Sequence, residues 1–334
     1  MTSYAQYLLR RLGQFVLVVF VGINIAFVIT HATPIDPVEQ TIAAATSFGS
    51  TSPEAIGLMR QSLRELYGLQ GSKWEQYVAF WKRVAVLDFG PSLSAFPTPV
   101  SDLIWRALPW TAGLLFVSTT ITWVVGNLLG GLAGYLRDSR TLRLAGVLVM
   151  GFHPIPYYIV AFVLLIVFGY LWPVLPITGG AQMNMARGFK PTFVLSVLQH
   201  SVLPVLSLVM VGLGGWFMGM RSLVSNIVTE DYVVYAELGG VERKRILTSY
   251  VMRNALVPQV TGLAMSIGAI FNGAIITEQV FGYPGVGTLL ISAVYAGDYS
   301  LVLGITTVSI VAVSLAVLLI DLLYPLLDPR VRAR

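Results

Sequence analysis

Six stretches of this chain run long enough without Asp, Glu, Lys or Arg to cross a membrane: Leu12–Ile35, Ala107–Leu136, Leu144–Ala186, Pro191–Met220, Asn254–Thr277 and Tyr299–Ile320. A hydrocarbon core of roughly 30 Å takes about 20 apolar residues as a helix, the form in which a span satisfies its own backbone hydrogen bonds. The third run exceeds one span, and Pro173, Pro176 and the pair Gly179–Gly180 predict that its helix ends near Leu171. The fourth run begins polar, which predicts a start near Ser201. The expected fold is therefore an all-α integral membrane protein with six transmembrane helices. Only 11% of the residues are charged and 56% are hydrophobic, against roughly 25% charged in soluble domains.

Arg10 and Arg11 precede the first run as in a signal peptide. That run is longer than a signal sequence needs, and no small-x-small site closes it. It is read as a retained first helix. The orientation follows from basic residues in short loops. The loop "RDSRTLR", Arg137–Arg143, places three arginines between the second and third spans. With that loop inside, both termini are cytoplasmic. The net charge of +5 is then a topology signal, and no nucleic-acid partner is expected. The organisation reads as 1–35 for the N-terminus and first helix, 36–106 for an outer segment, and 107–334 for the membrane core, with a cytoplasmic loop over 222–254.

The outer segment is expected to be helical. In "TSPEAIGLMRQSLRELYG", Thr51 and Glu54 stand at capping-box spacing and Gly68 is a stop. Ile56, Met59, Leu63 and Leu66 form one apolar face. A second helix is expected over Lys73–Val86, with Trp74, Tyr77 and Trp81 at helical spacing, and the two are expected to pack on each other.

The spans carry few polar groups. In the fifth, Ala264 and Gly268, and Ala269 and Gly273, lie four apart, a spacing that allows close helix approach. Gly268, Asn272 and Gly273 are the candidates to line a solute pathway. His153 sits within the "GFHPIP" break of the third span and is read first as a packing residue. The spans lack the paired acidic and basic residues of many ion-coupled carriers, which counts against a secondary transporter. The chain has no G-x-x-x-x-G-K-[ST] loop, no H-E-x-x-H, no G-x-S-x-G and no cysteine. Nucleotide cradling, zinc hydrolysis, elbow-type serine chemistry and thiol chemistry have no motif here. It reads as a membrane pathway without an engine of its own: not an enzyme, and with no cofactor.

One polar stretch stands out between two apolar runs: "DYVVYAELGGVERKRILTSYVMRN", Asp231–Asn254. It resembles the EAA-type cytoplasmic loop of permease subunits in bacterial binding-protein-dependent ABC importers, in the oligopeptide, dipeptide and nickel branch. Asp231, Tyr232 and Val233 begin it, Ala236 and Gly240 hold its Ala and Gly positions, and "RNALVP", Arg253–Pro258, closes it. "YLLRRLGQ" at Tyr7–Gln14, "LDFGPSL" at Leu87–Leu93, "ITEQVFGYPGVGTLL" at Ile276–Leu290 and "DLLYPLLDPRVR" at Asp321–Arg332 match in order along the chain. Leu238 and Gly239 depart from the second Ala and the basic residue common in that loop, and Leu87 departs from a common Gly.

The resemblance implies a type I ABC importer permease fold in the bacterial inner membrane. It implies a second homologous permease, two cytoplasmic ATPase subunits that bind ATP and Mg, and an extracytoplasmic solute-binding protein. Asp231, Tyr232, Ala236, Glu237, Gly240, Glu242, Arg243 and Arg253 would form the coupling element. Gly240 would permit a sharp turn or a close approach, and the flanking charges would face the ATPase. Arg60, Arg64, Glu278 and Asp298 would contribute to receptor docking. The implied solute is an oligopeptide, with oligosaccharide as the alternative and nickel less favoured.

Overall fold

The computed structural model describes residues 2–32, 37–46, 52–66, 71–183, 185, 188, 190–269 and 274–327. Among the described residues the regular structure is helical, apart from one isolated bridge between Pro91 and Pro99. The chain forms two compact units, Ala5–Trp110 with Gly285–Leu315, and Thr111–Pro284 with the two chain ends.

In the first unit, α1 (Thr2–Ala32) is the retained apolar helix, starting ten residues before the uncharged run. The helix α2 (Pro37–Thr46) was not foreseen, whereas α3 (Pro53–Leu66) and α4 (Lys73–Ala85) occupy the expected stretches. Ser52, rather than Thr51, receives a first-turn amide of α3, from Ala55 at 3.3 Å. Thr51 and Gly68 lie outside the described residues. A capping box opens α4: the Ser72 hydroxyl accepts from the Glu75 amide, and the Glu75 carboxylate accepts from the Ser72 amide at 2.7 Å. Those bonds hold the Glu75 carboxyl below its usual range.

The expected pairing of the two outer helices is corrected. Ile56, Met59 and Leu63 of α3 pack on Val38 and Ile42 of α2. The aromatics of α4 turn to α1: Trp81 stacks on Phe20 at 5.5 Å, and the Tyr77 hydroxyl donates to Asn24 Oδ1 at 2.7 Å. Phe27 lies against both Tyr77 and Phe80. Helix propensity fixed where these helices form, but an aromatic face pairs with whichever apolar surface is nearest. The same unit buries Val100 and Ile104 of α5 (Val100–Tyr135) against Ala293 of α13 (Val286–Tyr295) and Leu301 and Ile305 of α14 (Tyr299–Leu327).

The second unit takes the rest of α5, then α6 (Arg140–Phe152) and α7 (Tyr157–Leu165), which continues as a π-helical turn to Leu171, the expected end. Between α6 and α7 the "HPIP" break bends the chain by 100°, because two prolines remove backbone donors within three residues. The His153 ring lies against Gly214, and its Nδ1 is 3.2 Å from the Val211 carbonyl oxygen, consistent with its reading as a packing residue. Next comes α8 (Pro191–Ile227), which begins ten residues before the expected Ser201. Pro191 at its first position and the uncharged side chains after it carry the helix through the polar start.

Glycines of α5 let it lie directly on α8. A Cβ at Gly126 would fall 2.6 Å from Trp216 Cβ, one at Gly134 would fall 2.8 Å from the Arg221 carbonyl oxygen, and one at Gly130 would strike the Phe217 carbonyl. The partners rise in number together, so the two helices run parallel. Beyond the seam, Arg137 Nη2 donates to the Ser225 carbonyl at 2.8 Å.

Among the described residues, four single helices are long and apolar enough to span a membrane (within α1, α5, α8 and α14), and the bent α6–α7 pair makes a fifth candidate. The expected fifth span, Asn254–Thr277, falls on α11 (Arg253–Ala269) and α12 (Ala274–Val280), with 270–273 outside the described residues.

Candidate functional site

The polar element between α8 and α11 is ordered throughout. After Ile227 a short turn leads to α9 (Asp231–Leu238), then α10 (Arg243–Arg245), a π-helical turn over Ile246–Met252, and α11. One side of α9 is sunk: Val233 and Ala236 join Met220, Val224, Ile246, Val251 and Ala255 in a buried cluster. Val233 and Ala236 are three apart, one helical face. Ile246, Val251 and Ala255 are five and four apart. The wider π-turn brings the i and i+5 positions onto one side. An α-helical reading of the sequence would pair Ile246 with Tyr250, which is only half-buried.

A pair of reciprocal backbone bonds ends α9. The Gly240 amide donates to the Glu237 carbonyl at 3.0 Å and the Val241 amide to the Ala236 carbonyl at 3.0 Å. This is the Schellman arrangement, which needs a left-handed residue at the position Gly240 fills. Gly240 has φ 74°, and a Cβ there would meet nothing within 4 Å. Of the two expected roles, the turn is the one the chain itself shows.

The expected coupling residues separate into two sets. Ala236 is corrected to a core position: it faces the buried cluster, because it falls on the same face as Val233. Asp231, Tyr232, Glu237, Gly240, Glu242, Arg243 and Arg253 are exposed. Tyr232 is also held, its hydroxyl accepting from Asn254 Nδ2 at 3.2 Å. Glu237 and Arg243, with Arg137 and Asp138 of the "RDSRTLR" loop, line an open cleft of about 680 Å³ beside α9. Tyr135, at the end of α5, donates to the Arg243 carbonyl at 3.3 Å.

The outward side of α9 is not chiefly charged. Leu238 is 79% exposed, Tyr235 73% and Val234 41%. The sequence reading missed these three. The spacing of Val233 and Ala236 is the signal that would have found them: once those two are assigned to the core, the remaining apolar residues of the helix must point away.

Two docking expectations are corrected. Glu278 and Asp298, expected at a docking surface, are both 0% exposed. Glu278 Oε1 accepts from the Thr111 hydroxyl at 2.6 Å. Beside it, Tyr283 shares a hydrogen bond with Ser201 at 3.0 Å, and burial pushes its phenol above the usual range. Asp298 caps α14, its Oδ1 accepting from the Leu301 amide at 3.0 Å. Its Oδ2 accepts from the hydroxyls of Ser92 and Ser94 and from the Ser94 amide. A carboxylate with that many donors is a structural clamp joining "LDFGPSL" to α14. On α3, Arg64 is exposed and Arg60 is half-buried, paired bidentately with Glu39 at 2.6 and 2.9 Å. Of the pathway candidates, Asn272 and Gly273 lie outside the described residues. The structure places Gly268 on α11 but describes nothing of its surroundings.

Residues 126–333 match the family described as binding-protein-dependent transport system inner membrane component. Similar proteins extend over nearly the whole chain. The oligopeptide transport system permease protein AppB of Bacillus subtilis is 28% identical, covering 98% of this chain and 99% of its own. The dipeptide transport system permease protein DppB of Escherichia coli K12 is 30% identical over 98% of each chain. The probable D,D-dipeptide transport system permease protein DdpB of the same organism is 28% identical over 96% of each.

Proposed function

Because the chain belongs to the family of binding-protein-dependent transport system inner membrane components, we propose that it forms half of the solute pathway of a peptide importer and delivers the stroke of a separate ATPase through α9. The family places it in the inner membrane as a multi-pass permease subunit of an ABC importer. In the proposed assembly both termini are cytoplasmic. A second homologous permease completes the pathway, two cytoplasmic subunits hold ATP and Mg, and an extracytoplasmic solute-binding protein delivers the cargo.

One observation carries the coupling role: Tyr235 and Leu238 stand 73% and 79% exposed on a helix whose opposite face is locked into the core. Exposed large apolar side chains on an otherwise polar element fit insertion into a partner's apolar cleft. The fixed face makes α9 a lever, since a push on Leu238 is carried by Val233 and Ala236 into α8 and α11. The charges of Glu237 and Arg243 flank the contact and set its orientation. Peptide cargo is favoured because the similar permeases are named for oligopeptides and dipeptides.

The test uses the whole importer with its binding protein in lipid nanodiscs. Leu238→Ser with Tyr235→Ser should abolish peptide-stimulated ATP hydrolysis while the two permeases remain inserted and paired. Full stimulation in that variant would reject α9 as the coupling element. Stimulation by the loaded binding protein with a sugar but not with a peptide would reject the cargo while leaving the coupling intact.

A further inference from the structure

The ends of α5, α6 and α8 enclose a cavity of about 190 Å³ that the transport reading does not use. Its floor is basic, lined by Arg137, Arg143 and Arg221. Arg137 is fixed by the carbonyls of Ser225 and Gly134. Among the described residues, none of the three guanidinium groups has a carboxylate within ion-pair distance. Asp138, the one carboxylate of "RDSRTLR", lines the other cleft instead. The first turn of α6 opens at the same place, and its positive end adds to the field.

The upper wall is apolar: Val147, Met150 and Phe217. It continues onto an uncovered apolar face of α6, where Leu144, Val147 and Leu148 are 62%, 64% and 58% exposed. The basic floor thus lies where the α5 span ends and a charged loop begins, which is headgroup level in a bilayer. The apolar wall leads away along the helix to acyl-chain level.

We propose that this cavity is a binding site for an anionic phospholipid, with its phosphate held by Arg137, Arg143 and Arg221 and an acyl chain lying along α6. Basic pockets between membrane helices recognise such headgroups, and guanidinium groups match phosphate oxygens in geometry as well as charge. A free phosphate would satisfy the floor but leave the wall unused, and a neutral zwitterionic lipid would leave the floor's charge uncompensated.

The experiment takes the complete importer, stripped of lipid in detergent, and titrates it with phosphatidylglycerol, phosphatidylcholine or inorganic phosphate. Lipid retained per complex is read by native mass spectrometry. Phosphatidylglycerol should be retained in preference to phosphatidylcholine and should not be displaced by millimolar inorganic phosphate. Arg143→Gln with Arg221→Gln should weaken retention roughly 30-fold, each basic residue near an anionic surface being worth about a factor of five. Arg143→Lys, which keeps the charge, should retain lipid within a few-fold of the unaltered protein. Equal retention of the two lipids, displacement by phosphate, or unchanged retention in the double glutamine variant would each overturn the assignment. If the double variant does not assemble, the comparison of the three ligands on the unaltered importer decides alone.

Discussion

The Asn254 side-chain amide donates to the Tyr232 hydroxyl at 3.2 Å, tying the first turn of α9 to the second residue of α11. Asn254 also donates to the Tyr250 carbonyl at 2.6 Å. Both residues are exposed, so the bond between them adds about 0.5–1 kcal/mol. Tyr232→Phe should therefore lower thermal stability less than Asn254→Ala, which loses two bonds. The double variant should fall short of the sum by that same coupling energy. Additive losses in a thermal unfolding cycle would show that the contact does not operate in solution.

Within the chain, Gly240 is required by backbone conformation, since a Cβ there would meet nothing within 4 Å. A left-handed residue costs an ordinary L side chain roughly 1–2 kcal/mol, and asparagine least. Solute uptake should then fall in the order Gly240→Asn, Gly240→Ala, Gly240→Val, with membrane levels unchanged. Equal loss in the asparagine and valine variants would transfer the cause from the turn to a clash with the partner subunit.

The Asp298 clamp predicts an asymmetric response. Asp298→Asn must set an amide nitrogen either against the three donors now on Oδ2 or against the Leu301 amide. It should cost about 2–3 kcal/mol in the detergent-purified protein, whereas Ser92→Ala should cost only about 1. A serine variant more damaging than the asparagine one would mean that the carboxylate is not the organising group.

Two glycines of the same helix should respond oppositely to one methyl group. Gly113→Ala adds a side chain where nothing lies within 4 Å and should be neutral or stabilise by up to ~1 kcal/mol through helix propensity. Gly130→Ala drives a methyl into the Phe217 carbonyl and should destabilise by about 1–3 kcal/mol, as overpacking does. Matching melting temperatures for the two would remove the seam between α5 and α8.

The membrane class was legible because it depends on a one-dimensional quantity, the length of uncharged sequence. Helix ends set by proline were legible too, as at Leu171. Orientation of individual side chains was not. Glu278 and Asp298 are acidic, and the resemblance placed them at an outer docking surface; their donors, Thr111, Ser92 and Ser94, are 167 to 206 residues away in sequence. The exposed Tyr235 and Leu238 of α9 were missed because its charges drew attention. Small residues four apart were noticed in the fifth span, yet Gly126, Gly130 and Gly134 carry the same spacing and make the contact that is observed.

That parallel seam also settles a question of parity. Two membrane crossings that run in the same direction require an odd number of crossings between them. With α5 and α8 side by side and head to head, residues 136–190 must carry the chain back across once. The elbow at "HPIP" lies within that return, and the α6–α7 pair, apolar along its length and bent by 100°, is the candidate for that crossing. Straightening is not needed for the count to close. On such a bent course through the bilayer, the polar backbone freed at Pro154 and Pro156 would have to be covered by protein.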